Sequence, residues 1–369
     1  MNDWPPVISA GGTTMGEDDV QAQSAIPRNV TRADVARLAG VSDAVVSYVV
    51  NNGPRPVAPA TFQRVQEAIR VLGYRPNASA RALRTGTTQL LGLVVPEIEN
   101  PLFAKLARAI EDVAAARGFA VLVANSESNA AQERRHVANL IARQVDGLLL
   151  TSVLSRPVSA LPLAGVSTVL LNAYGEVPGF PAVGVDAYAG AYEAVSHLVG
   201  HGYERIGLII GNFTSGDVEP RERGWLQATR DAGLNDGPIA RDEFSRRGGY
   251  QAGLRLFSGA DWPHAVFVSS DMQAIGAMRA LYELGLRVPE DVALFAFDGT
   301  EETEYTNPQL SVVRQPVREM AEDAVEKVLN PSGPASPYTA HKPELVFRRS
   351  CGCDRSPASA TITFRNDPS

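Results

Sequence analysis

The chain has 369 residues, 44% of them hydrophobic, enough to bury full cores in roughly two or three domains. No apolar run approaches the roughly 18 residues of a membrane span, so no membrane partner is expected. Cys351 and Cys353 are the only cysteines, which excludes a disulfide scaffold and fits a reducing, cytoplasmic compartment.

The net charge of −7 is unevenly spread. Residues 29–87 carry eight arginines against Asp34, Asp43 and Glu67, a surplus of five, which leaves −12 on the rest. A basic head on an acidic body holds phosphates locally while the body stays off the polyanion. Residues 1–28 mix Pro, Gly, Ser, Thr and acidic groups without periodicity and read as a disordered leader. They lack the basic start and apolar stretch of a signal peptide, and Met15 is as eligible a start as Met1.

Order begins at Thr31, whose hydroxyl can cap a helix with Asp34 in its first turn. Val35 and Leu38 give this helix an apolar face, Gly40 supplies a sharp turn, and Ser42 can cap a second helix that buries Val46, Val49 and Val50. The opposite face shows Asp43, Ala44, Ser47 and Tyr48, short and varied, as on a helix that meets base edges. A two-helix fragment of a larger core is the bland alternative. A third helix starts near Pro59, carries Val65, Ala68, Ile69 and Leu72 on one face, and stops at Gly73. Residues 77–84, capped by Asn77, are helix-prone but too short to be stable without a partner.

From residue 88 apolar strands alternate with amphipathic helices. The strands are expected at 90–95, 119–124, 146–151, 167–172, 205–210, 265–270 and 292–297. Helices are expected near 101–117, 130–144, 188–200, 219–233, 248–257 and 271–285. Two such sets make two α/β lobes with parallel sheets, and a ligand site is expected between them at the carboxyl ends of the strands. Residues 354–369 have no leucine heptads and read as a flexible tail, without a coiled-coil route to a tetramer.

Catalytic and metal motifs are wanting. No G-x-G-x-x-G follows a strand, there is no G-x-S-x-G elbow, and Gly211 and Gly216 precede Asp217-Val218 where a phosphate loop needs Lys-Ser/Thr. His197 and His201 stand at i, i+4 without a general base between them and read as a helix end. Cys351-Gly352-Cys353 reads as a cap in the closing strand, because two thiols cannot complete a tetrahedral site. No catalytic residue, metal site or cofactor is expected.

The ordered motifs GVS (40–42), VSYVVN (46–51), LGYRPN (72–77) and ARALRTG (80–86) resemble the headpiece and hinge of the lactose/galactose repressor family, and the resemblance runs over roughly 30–352. It implies an all-α helix-turn-helix headpiece at 29–76 and a hinge helix at 77–87. A periplasmic-binding-protein-like bilobed body follows at 88–353, with a strand near Leu310–Val313 and a helix near 316–329 returning to the first lobe. By position in the family motif, Asp43, Ala44 and Tyr48 read bases, while Thr31, Ser42, Ser47 and Asn51 bond phosphates, with helix capping as the alternative for these four. Leu83 corresponds to a wedge driven between base pairs in the minor groove, beside Arg84; packing of the hinge on the headpiece is the alternative. Arg221 resembles the family's ligand-gripping arginine. Asn172, Ser270, Asp271 and Asp298 close strands facing the cleft, and Phe103 or Tyr174 can stack on a sugar face. A helix cap is the alternative for Asp271, and an Arg221–Asp298 ion pair for that couple.

The resemblance therefore implies a homodimeric transcriptional repressor that binds a palindromic operator in double-stranded DNA and answers to a small effector, a sugar or sugar derivative. The effector either releases DNA or is required to hold it. Two other classes remain: a sugar-binding protein without DNA function, opposed by the headpiece, and an α/β sugar kinase or dehydrogenase, opposed by the absent phosphate loops.

Overall fold

The computed structural model describes residues 30–353 apart from 52, 54, 76–81, 84, 153–160, 162, 164, 213–218 and 332–336. The expected leader and tail lie outside the described residues, as do 77–81 and Arg84 of the expected hinge helix. The chain divides into two units, residues 1–84 and 85–369, so the division falls inside the segment read as a hinge.

In the first unit, α1 (Arg32–Ala39), α2 (Asp43–Asn51) and α3 (Pro59–Leu72) enclose a small core of Val35, Ala36, Ala39, Val46, Val49, Val65 and Ala68. Gly40 and Gly73 adopt left-handed backbone at φ 65° and 63°, which closes α1 and α3 as glycine alone does cheaply. Leu38 departs from expectation. It is 54% exposed, and Ala36 and Ala39 take its place in the core. Two alanines beside Val35 put the buried arc of α1 one position away from Leu38, and their small side chains let α3 approach.

The second unit holds two six-stranded sheets, and its helices follow the strands. The first sheet runs in the order β11 (Tyr338–His341), β5 (Ala182–Val185), β4 (Ser167–Leu171), β3 (Gly147–Leu150), β1 (Leu90–Val95), β2 (Ala120–Asn125), all parallel. The second runs β12 (Glu344–Val346), β10 (Ser311–Arg314), β9 (Ala293–Asp298), β8 (Ala265–Val268), β6 (Ile206–Gly211), β7 (Ile239–Asp242), with β12 alone antiparallel. The helices are α4 (Pro101–Ala116), α5 (Ala130–Ala142), α6 (Ala187–Gly200), α7 (Pro220–Asp231), α8 (Arg246–Phe257), α9 (Asp271–Glu283) and α10 (Val317–Leu329). Central strands are buried along their length, as sheets covered on both faces require. Trp225, Phe267, Phe295 and Phe297 are fully buried.

The late strand corrects the expected return to the first lobe. β10 pairs with β9 and stays in the second sheet. The crossing comes after it, at Gln315-Pro316, and α10 then packs on α4 and on β3, β4 and β5. β11 adds to the first sheet and β12 goes back to the second. Where the body begins, Asp146 accepts from Thr87 Oγ1 (2.6 Å), Thr88 N (3.0 Å) and Gln89 N (2.7 Å), tying the entering chain to the turn before β3. No described helix is long and apolar enough to cross a membrane.

Candidate nucleic-acid interface and ligand cleft

The helix-turn-helix is set by its caps. Thr31 Oγ1 accepts from Asp34 N at 3.3 Å, and Asp34 Oδ2 accepts from Thr31 N at 3.0 Å and from its hydroxyl at 2.7 Å. These bonds hold the Asp34 carboxyl below the usual carboxylate range. Ser42 Oγ accepts weakly from Val45 N at 3.4 Å and so caps α2. Asp43 and Ala44 are exposed at the start of α2, while Ser47 and Tyr48 are half-buried. Asn51 Nδ2 donates to Ser47 O (2.9 Å) and Oγ (3.2 Å), so these two side chains already partner each other within the helix. Tyr48 lies against Gly53, where an added Cβ would stand 2.5 Å from its Cδ1, and Gly53 N donates to Tyr48 O at 3.0 Å.

Sequence reasoning missed Arg32. It lies on α1, and its Nε stands 3.7 Å from Asp43 Oδ2, both side chains half-exposed. A guanidinium therefore borders a helix that has no arginine of its own. An exposed pair of this kind contributes at most about 1 kcal/mol, so it opens readily. Leu83 has helical backbone and is 91% exposed. That leaves a large apolar side chain in water, as a wedge reserved for a partner would be, and nothing in the headpiece covers it among the described residues.

In the body, a cleft of about 1360 Å³ opens between the carboxyl ends of the two sheets. Five expected effector residues line it: Phe103, Asn172, Arg221, Ser270 and Asp298. Tyr174 lines it as well. Asp271 does not. Its Oδ2 accepts from Thr300 N (2.6 Å) and Thr300 Oγ1 (2.8 Å), and so it anchors the turn after β9. Ser270, not Asp271, caps α9, accepting from Gln273 N at 3.2 Å.

Arg221 is buried in the first turn of α7. Its partner is Glu219 (Nε to Oε1, 2.7 Å) rather than Asp298, and Nη1 donates to Ser269 O at 2.6 Å. The rings of Tyr174, Phe244 and Phe297 surround its Cζ at 5.2–5.5 Å. No bond from Nη2 to a protein acceptor forms among the described residues. Burial lifts the Asp298 carboxyl to about 7, against the pull of Arg221 and a hydrogen bond from Gln315 Nε2 at 2.8 Å. Burial likewise pushes Tyr174 up to about 12, so its hydroxyl keeps its proton.

Asp298 has φ 119°, strained for a residue with a side chain, and Asn172 has φ 53°, in the left-handed region that asparagine tolerates. Strain of about 1–3 kcal/mol at Asp298, at a strand end in the cleft, is a cost that the surrounding fold offsets. Thr151 Oγ1, Asn172 Oδ1 and Gln315 Oε1 line the cleft, are buried, and have no partner among the described residues. Such atoms cost about 1–3 kcal/mol each until a ligand or water meets them.

Thr151, Asn212, Glu243, Phe244 and Gln315 were not singled out from the sequence, although each lies just beyond a strand. The strand-end rule that found Asn172, Ser270 and Asp298 reaches Thr151, Asn212 and Gln315 too, whereas Glu243 and Phe244 follow β7, an edge strand without an apolar run.

The two histidines and two cysteines, expected to be a helix end and a strand cap, are not separate. Folding places His197, His201, Cys351 and Cys353 with one ligand atom each inside a 4.8 Å cluster. Each pair alone is too few for a tetrahedral site, and the fold brings the two pairs together.

Residues 31–77 match the bacterial regulatory proteins of the lacI family, and residues 195–351 match a periplasmic binding protein-like domain. Catabolite control protein A of Priestia megaterium is 33% identical over 330 residues, covering 87% of this chain and 99% of that protein. Among solved structures, the Lac repressor dimer bound to operator and the anti-inducer ONPF superposes with a TM-score of 0.77 at 26% identity, covering 88% of this chain and 99% of that one. The complex of the transcriptional regulator CelR with cellobiose superposes at 0.61 with 30% identity, covering 87% and 99%.

Proposed function

The chain belongs to the lacI family of bacterial regulatory proteins and is a DNA-binding transcriptional regulator, and from that premise we propose that it is a dimeric repressor whose effector is a sugar or sugar derivative. The observation that carries the effector class is the cleft. Thr151, Asn172 and Gln315 atoms with no partner among the described residues, the Nη2 donors of Arg221, the Asp298 carboxyl and the rings of Tyr174 and Phe103 offer donors, acceptors and apolar faces together. A polyol presents that mixture, each hydroxyl both donating and accepting over an apolar ring face. The cellobiose bound by CelR agrees with this class.

On DNA, Asp43, Ala44 and Tyr48 read base edges, with Arg32 beside them, and Thr31, Ser42, Ser47 and Asn51 set register on phosphates. Leu83 opens a central pyrimidine–purine step, the kind that unstacks most easily, and Arg84 enters the narrowed groove. An effector that closes the lobes alters the spacing of the two hinges, and so biases a folding–binding equilibrium on DNA. The protein binds its ligand rather than turning it over, and it works in the cytoplasm, where its DNA is.

Selection of bound sites from a random DNA pool with the full-length protein, with and without candidate sugars, tests the reading. An inverted repeat with a central pyrimidine–purine step, whose recovery changes with one sugar, is the expected result. Recovery of single half-sites, or indifference to every sugar, overturns the dimeric or the sugar-responsive part respectively.

A further inference from the structure

Four side chains outside both sites converge in the second lobe. His197 and His201 lie one helical turn apart at the end of α6, so both imidazoles share a face. Cys351 ends the last 3-10 turn (Arg349–Cys351), and Gly352, at φ 89°, folds the chain so that Cys353 comes round to the same place. His197 Nε2 stands 3.1 Å from His201 Nε2, 3.4 Å from Cys351 Sγ and 3.3 Å from Cys353 Sγ; His201 Nε2 stands 3.3 Å from Cys353 Sγ.

The close contacts in this cluster cannot all be hydrogen bonds at once. An imidazole Nε2 carries either one proton or one lone pair, so His197 can satisfy only one of its three neighbours. Two nitrogens and two sulfurs around one ion at usual zinc bond lengths lie about 3.3 Å apart for N–N and about 3.6 Å for N–S, close to the spacings seen. Two thiolates also balance a divalent charge, so the buried Cys351 and the half-buried His197 and Cys353 would enclose a neutral unit. Cys351 Sγ lies 3.3 Å from Arg348 O, an acceptor for its proton when it is a thiol. The ring of Phe347, centred 4.4 Å from that of His197, holds the imidazole in orientation.

We propose that His197, His201, Cys351 and Cys353 form a Cys2His2 site for a zinc ion that fastens the C-terminal turn to α6. Soft thiolates with imidazoles in a tetrahedral set select zinc over the hard divalent cations. All four positions are filled by protein, so the ion is structural, with none open for substrate. The site joins residues some 150 positions apart, which neither pair could reveal alone, and Cys-x-Cys is one residue shorter than the usual zinc spacing.

The test uses untagged full-length protein purified under reducing conditions. Elemental analysis should find about one zinc per chain, and a chelator-stripped sample should regain it. Free zinc a hundredfold above its Kd should raise the Tm of the body by about 5 °C. Cobalt in its place should show the intense visible bands and thiolate charge transfer of a tetrahedral S2N2 site. His201→Gln and Cys353→Ser, on the more accessible side, should melt like the stripped protein and ignore zinc. Equal melting of wild type in zinc and in chelator, or metal retained by both variants, overturns the site; cobalt bands without thiolate charge transfer overturn the ligand set.

Discussion

The cleft and the headpiece solve recognition in opposite ways. In the cleft, Arg221 is buried on Glu219, Asp298 holds strained backbone, and buried polar atoms have no partner among the described residues. Fully buried Trp225, Phe267, Phe295 and Phe297 fill the core of the same body. Among the described residues of the headpiece no fully buried core side chain exceeds valine, and Asp43, Ala44 and Leu83 are exposed. A large rigid core can store strain and hold unsatisfied groups in place, and this gives selectivity towards a small ligand. A small core cannot, so the headpiece leaves at its surface the residues proposed to meet DNA.

Removing the cation from the cleft should break the contrast most strongly. Arg221→Ala leaves Glu219 buried without its partner, and the body should lose about 3–5 kcal/mol of stability. Calorimetry should show it in the body's transition, and effector response should vanish while operator affinity survives below that melting point. An unchanged melting point with intact response would mean that this pair does not organise the cleft.

Leu83→Ala acts on the other region. Losing the burial of one leucine in DNA should weaken operator binding by about 10–100-fold and leave nonspecific binding and effector affinity as they were. Titration of operator and random duplexes at one salt concentration separates the cases, because an equal loss on both would make Leu83 a general contact.

The same contrast governs how much could be read in advance. Central strands such as LLGLVV and VALFAF are buried on both faces and announce themselves as apolar runs. The edge strands IARD and YTAH, partly exposed, carry no such run, and the four residues of β5 are too short to stand out. The cleft was legible at Asn172, Ser270 and Asp298, where an expected strand ends in a polar residue, but Thr151, Asn212 and Gln315, placed alike, went unread. Asp271 was misplaced because one helical residue separates a cleft wall from a buried anchor on Thr300. The lobe in which β10 belongs, and the meeting of His197 with Cys353, are set by pairing across long stretches of chain, which local pattern does not record.

A smaller effect sharpens the chemistry of the cleft. Burial raises Asp298 from the ordinary range to about 7, so between those values the folded body binds a proton that the unfolded chain has lost. This group therefore stabilises the body in acid, and the contribution is lost as pH rises to about 7. Ligand hydroxyls donate to the ionised form, so effector affinity should rise about tenfold from pH 6 to pH 8. Calorimetric titration should show that slope in the wild type and a flat profile in Asp298→Asn. A slope that persists in the variant assigns the proton to another group.

The smallest change tests how little holds the headpiece. Thr31→Ala removes the hydroxyl that accepts from Asp34 N and donates to its carboxylate, an N-cap worth about 1 kcal/mol. In the body that would pass almost unseen. In a headpiece whose buried core is seven Val and Ala side chains it should lower the local melting point by about 8 °C, read by amide exchange over residues 30–75 of the full chain. Thr31→Ser, which keeps the hydroxyl, should restore it. Operator affinity well below melting then divides the two roles given to this residue. No loss there leaves Thr31 a cap alone, whereas a loss equal across sequences adds a phosphate bond, since phosphate contacts position the helix without reading it.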